Sequence, residues 1–143
     1  MDFQAYNKIL ICKDDIRNVT VEGVTVGYEF KIKYPSYRGA FLSCVEDLRF
    51  KVDGQDIPAA QISFRLNGKD FLLSELKECF KEYWFVRDPA TIFVRQDGGI
   101  QPGGIQPGQH SLNVYIKHRV PYTGYFGQYL TLDSDVTETR QAV

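Results

Sequence analysis

Long stretches of this chain alternate between apolar and polar positions, the period of a strand with one face against a core. The longest run covers residues 24–34. Val26, Tyr28, Phe30, Ile32 and Tyr34 share one face, while Thr25, Gly27, Glu29, Lys31 and Lys33 share the other. Residues 110–119 repeat the pattern, with Leu112, Val114 and Ile116 on one side and Asn113, Tyr115, Lys117 and Arg119 opposite. Residues 44–52 alternate again, turning Leu48, Phe50 and Val52 inward, and Ile62, Phe64 and Leu66 mark a further strand. Asp53-Gly54 and Asn67-Gly68 supply the positive φ angles that two-residue turns require, so each predicts a hairpin. Residues 8–13 form a short unbroken apolar run, which predicts a strand covered on both faces.

Residues 91–95 are β-branched and aromatic, and they are joined to 110–119 by a loop in which GGIQP occurs twice. That density of Gly and Pro excludes helix and central strand alike. The pair 91–119 therefore reads as a long hairpin with an extended loop, the spine of an antiparallel sheet. One segment departs from the β rhythm. Residues 74–84 have helical propensity, Ser74 suited to N-capping, and Leu76, Phe80 and Tyr83 spaced for one face. About eight strands and one short helix predict an all-β fold. The expected form is an antiparallel two-sheet β-sandwich with one short α-helix over 74–84. Residues 1–143 read as a single domain, with 137–143 as a frayed polar tail.

Composition narrows the function classes. The chain has 143 residues, 43% of them hydrophobic and 14% aromatic, enough for a real core. A net charge of −1 with dispersed Lys and Arg gives no footprint for nucleic acid or an acidic membrane surface. The first eight residues show neither a basic nor an apolar signal region, and no apolar run approaches a bilayer span. Three widely spaced cysteines, Cys12, Cys44 and Cys79, fit a reduced, cytoplasmic setting with ordinary buried thiols. His110 and His118 are the two histidines. They share a strand face, but eight residues separate them by roughly 26 Å, too far to hold one ion. No nucleophile elbow, opposed carboxylate pair or phosphate-cradling loop stands out. Tyr122, Tyr125, Phe126 and Tyr129 crowd eight residues, and Tyr34, Tyr37 and Phe41 flank another break. These rings either fill the ends of the sandwich or present a surface for a protein or sugar, and sequence leaves both readings open.

A set of ordered motifs adds a resemblance. It comprises Val52-Asp53-Gly54, Ser63-Phe64-Arg65-Leu66-Asn67-Gly68, and Trp84-Phe85-Val86-Arg87-Asp88-Pro89-Ala90-Thr91-Ile92. It continues with Gly103-Gly104-Ile105-Gln106-Pro107-Gly108-Gln109-His110 and Arg119-Val120-Pro121-Tyr122. Their order resembles the small β subunit of bacterial C-glycoside deglycosidases, with one GGIQP copy as an apparent insertion. The resemblance implies a β-sandwich that binds a catalytic α subunit with a sugar-isomerase-like barrel, where a divalent metal, typically manganese, and a catalytic histidine reside. It implies a C-glycoside substrate bound mainly by α, its sugar first oxidised to a 3-keto form, and an aglycone of flavonoid type. It assigns no catalytic residue, cofactor or metal ligand to this chain. Tyr37, Ile105, Tyr122, Tyr125, Phe126 and Tyr129 become candidates for the partner interface. Two rival readings are a free-standing cytosolic carbohydrate-binding sandwich and a stand-alone cytosolic enzyme.

Overall fold

The computed structural model describes residues 3–96, 105–120 and 130–143, and strands form where the alternation is cleanest. In chain order these are β1 (Arg17–Val21), β2 (Val24–Ile32), β3 (Ala40–Phe41), β4 (Val45–Val52), β5 (Gln55–Asp56) and β6 (Ile62–Leu66). β7 (Lys69–Leu72), β8 (Tyr83–Trp84), β9 (Ala90–Arg95), β10 (Gly108–Val120) and β11 (Leu130–Ala142) follow. A five-stranded antiparallel sheet runs β1-β2-β9-β6-β7, and a four-stranded one runs β11-β10-β4-β5. A separate two-stranded ribbon pairs β3 with β8. The fold is all-β.

The inward faces are those the period marks. Tyr28, Phe30, Ile32, Phe64, Ile92 and Val94 come from the larger sheet, and Leu48, Phe50, Leu112, Val114 and Ile116 from the smaller. They form one hydrophobic cluster, with the rings of Phe30 and Phe50 meeting edge to face across it at 5.6 Å. Three tight turns have both central residues at positive φ: Glu22-Gly23, Asp53-Gly54 and Asn67-Gly68. The last two are the anticipated turns, with Val52 opposite Gln55 and Leu66 opposite Lys69.

Several local expectations give way to tertiary pairing. Residues 91–119 are not a hairpin. β9 lies between β2 and β6, while β10 lies between β4 and β11, so the connection crosses from one sheet to the other. Alternation tells which face is buried, and it is silent on which strand lies alongside. No α-helix spans 74–84. A 3-10 helix covers Leu73–Glu78, and its start is held by the Glu75 carboxylate, which accepts from the Leu72 N–H at 2.7 Å. Beyond it, Ser43 N–H donates to Cys79 O and Leu42 N–H to Glu82 O. These bonds draw the chain out straight, so Tyr83 and Trp84 become strand rather than a last helical turn.

Residues 8–13 are likewise no strand. A 3-10 helix occupies Phe3–Ile9, and Ile11 makes one isolated bridge to Ile32. Leu10 and Ile11 are buried all the same. Residues 137–143 do not fray in this structure. β11 pairs with β10 rung by rung from Leu130 to Ala142, and Ala142 belongs to the core. A bridge from Ala142 to Ile16 ties that end to the start of the larger sheet's edge. Arg140 fastens it further, donating to the carbonyls of Cys12 (2.8 Å) and Ile11 (3.1 Å).

Candidate functional site

The two ends of the sandwich differ in chemistry. At one end a column of buried rings sits under β10. His118 Nδ1 lies 2.9 Å from the Tyr34 hydroxyl, and Tyr34 packs on Trp84 at 5.2 Å between centroids. Trp84 in turn meets Phe64 edge-on at 5.2 Å. Its indole N–H donates to Asp88 O at 2.8 Å, which closes the turn leading to Pro89. This accounts for the tryptophan and Asp-Pro of the Trp84–Ile92 motif: they anchor a turn. Burial holds the His118 imidazole neutral, its pKa pushed down to about 4.

From this column the β3–β8 ribbon projects, and its alternation sends Ala40 and Trp84 inward and Phe41 and Tyr83 outward. Phe41 meets Tyr83 edge-on at 5.1 Å, and Tyr83 meets Phe85 at 4.6 Å. Phe41 is 44% exposed and Phe85 56%, so a row of three rings stands on the surface. Gly39 permits the close approach, since a Cβ there would lie 2.2 Å from Trp84 O. Phe80 is exposed as well, whereas its helical spacing had pointed it inward.

Tyr37, one of the sequence candidates, is 39% exposed and packs against Tyr6 at 6.3 Å. Tyr122, Tyr125, Phe126 and Tyr129 lie outside the described residues. Their flanks, Val120 and Leu130, pair with each other at the end of β10 that carries His118. Sequence reading singled out Phe41 but placed Tyr83 on a helix and gave Phe85 no role beyond its place in a motif. A single outward position on each of two two-residue strands is too short a pattern to recognise.

The opposite end gathers motifs that are distant in sequence. Asp53, in the β4–β5 turn, accepts the Ser111 N–H at 2.9 Å through Oδ1 and meets His110 Nδ1 at 2.7 Å through Oδ2. His110 Nε2 lies 2.6 Å from Gln106 O. Both ring nitrogens face acceptors, an arrangement that favours the doubly protonated ring. The Asp53 hydrogen bond raises the His110 pKa, and the same bond lowers that of Asp53. Ile105 is 9% exposed, its backbone clasped by the Asn18 carboxamide, which donates to Ile105 O (3.0 Å) and accepts from Ile105 N–H (2.8 Å). Ile105 thus faces the core and leaves little side chain for a partner. Tyr37 and Ile105 are not brought together.

A cleft of about 450 Å³ opens here between the sheets, bordered by Asp53, Gln55, Gln61 and His110, with Tyr28 also lining it. Among the described residues no three His, Cys, Asp or Glu side chains converge. Cys12 and Cys79 have thiol pKa values raised, in both cases first by burial, which leaves them poor nucleophiles. Among the described residues no helix is long and apolar enough to cross a membrane.

Comparison with known proteins matches residues 6–122 to the family model described as CGDB, C-glycoside deglycosidase beta subunit. A C-glycoside deglycosidase beta subunit of Eubacterium cellulosolvens is 38% identical over 78 residues, 54% of this chain and 53% of that protein. The match thus spans about half the length of that relative. A 3'-dehydrocarminate deglycosidase beta subunit of a Microbacterium species is 31% identical over 106 residues, 74% of this chain and 76% of that one. A C-glycoside deglycosidase beta subunit of Microbacterium trichothecenolyticum is 27% identical over 114 residues, covering 79% and 82%.

Proposed function

Because the chain belongs to the C-glycoside deglycosidase beta subunit family, we propose that it is the non-catalytic subunit of a heteromeric C-glycoside deglycosidase. The enzyme cleaves the carbon–carbon bond between a 3-oxo-sugar and a flavonoid-type aglycone. The observation that carries this reading is the family match across residues 6–122. A relative named for a 3'-dehydro substrate supports the oxidised sugar. A ketone acidifies the neighbouring C–H, and deprotonation there and at the aglycone phenol permits elimination across an otherwise inert bond. The reacting groups, a divalent metal (manganese in the resembled family) and a histidine, belong to a barrel-type α subunit.

This chain's share is to bind and complete that subunit. The row Phe41, Tyr83 and Phe85 is the docking face. Exposed rings held rigid by their neighbours bury large area at little entropic cost, and aromatic residues are enriched at subunit interfaces. Co-expression of this chain with the barrel subunit tests the reading. The two should co-purify and release aglycone from a 3-oxo-C-glycoside. Phe41→Ser with Phe85→Ser should abolish co-purification while the far-UV circular dichroism stays unchanged. Full activity of the barrel subunit by itself refutes the proposal.

A further inference from the structure

Tyr28 presents a polar group that neither the fold nor subunit docking uses. It stands on the inner face of β2, 3% exposed, and lines the cleft at the Asp53 end. Its hydroxyl makes no hydrogen bond among the described residues. Burial, with the Asp53 charge adding to it, pushes this phenol up to about 12, so it remains a neutral donor. A buried hydroxyl is ordinarily paired, and one that borders a cleft is paired by what enters.

The rest of the lining says what that is. The His110 ring is already committed to Asp53 and Gln106 O, and Lys51 lies 4.0 Å from Asp56, so nothing here selects an anion. The other lining groups are polar: the carboxylates of Asp53 and Asp56 accept, Asp53 with lone pairs left beside its bonds to His110 and Ser111, and the carboxamides of Gln55 and Gln61 accept and donate. Val52, Ile57, Pro58 and Val94 form an apolar wall. A ligand for such a place carries hydroxyl groups on its edge, a flat or C–H-bearing face, and no charge. The volume, about 450 Å³, suits one or two rings.

We infer that the cleft between the β4–β5 turn and residues 105–110 binds a neutral, multiply hydroxylated ring. The Tyr28 hydroxyl donates to it, and the Asp53, Asp56 and glutamine rim accepts from it. A sugar and a phenolic ring share this chemistry. The site stands whether or not the chain docks on a catalytic partner, because every lining group is its own.

Titration of the isotopically labelled chain, once with methyl β-glucopyranoside and once with resorcinol, distinguishes the sources. Backbone amide shifts should saturate at Tyr28, Asp53, Gln55 and His110 with at least one of the two probes. A response to the glucoside alone assigns a sugar site, and to resorcinol alone a phenol site. Tyr28→Phe, which keeps the ring and its packing, should weaken binding about fivefold to tenfold, the loss of one hydrogen bond. Gln55→Ala, at an exposed position, should weaken it as well. Saturation by neither probe overturns the inference and leaves the hydroxyl to water. Shifts confined to another surface, or binding indifferent to both substitutions, overturn it equally.

Discussion

His110 and His118 occupy the same face of one strand, and their pKa values are shifted in opposite directions. His118 is desolvated against Tyr34, and His110 is hydrogen-bonded to Asp53 beside the cleft. For His118 the folded pKa of about 4 lies below the ordinary 6.5. Between those values the unfolded chain takes up a proton that the folded chain refuses, so stability falls as the pH drops through that window. The loss approaches about 3 kcal/mol by pH 4. Urea midpoints at pH 7 and pH 5 should show the fall, and His118→Gln should flatten it over that interval. His110 behaves in the opposite sense. Its imidazole resonances should titrate above the ordinary range, and Asp53→Asn should bring the titration back down, as NMR would record. The shared face of the two histidines was legible in the sequence, since parity alone sets it. Their partners were not. Tyr34 is 84 positions from His118 and Asp53 is 57 from His110, and only the fold joins them.

At the scale of elements, turn chemistry and alternation were the readable parts. β2, β4, β6 and β10 lie where the period placed them, and Asp53-Gly54 and Asn67-Gly68 turn as their residues demand. Glu22-Gly23 makes the same kind of turn with Glu22 at φ 50°, a conformation glutamate tolerates poorly, and so it gave no signal. Glu22→Asn should therefore stabilise the fold by about 0.5–1 kcal/mol, seen as a higher urea midpoint. The segment 74–84 was misread for a related reason. Its propensity is helical, but the carbonyls of Cys79 and Glu82 are claimed by the N–H groups of Ser43 and Leu42. Gly39→Ala tests that ribbon directly. With no room beside Trp84 O, the added methyl should detach β3 from β8 and raise hydrogen exchange at residues 40–42.

For the molecule as a whole, the all-β class and a core between two facing sheets followed from strand faces, whereas membership of each sheet did not. β9 and β10 are neighbours in sequence and strangers in space. The last strand was undervalued because Thr137, Glu138, Thr139 and Arg140 read as a polar tail, and its worth lies in backbone pairing and in Ala142. Deleting residues 137–143 strips the rungs from Asn113–Thr137 to Gly108–Ala142 and the bridge to Ile16. The truncated chain should lose several kcal/mol, about a third or more of a typical domain's stability, in a denaturant melt. The placing of β9 and β10 in different sheets also has a consequence during synthesis. β2 and β6 emerge from the ribosome with the slot between them empty, and β4 emerges with only a two-residue strand at its side. Both gaps are filled by strands made late, so the nascent polypeptide carries unpaired strand edges and uncovered apolar faces until most of it has been translated. The cell must shield those edges for that interval, and slow closure of the sandwich is built into the order in which its strands are made.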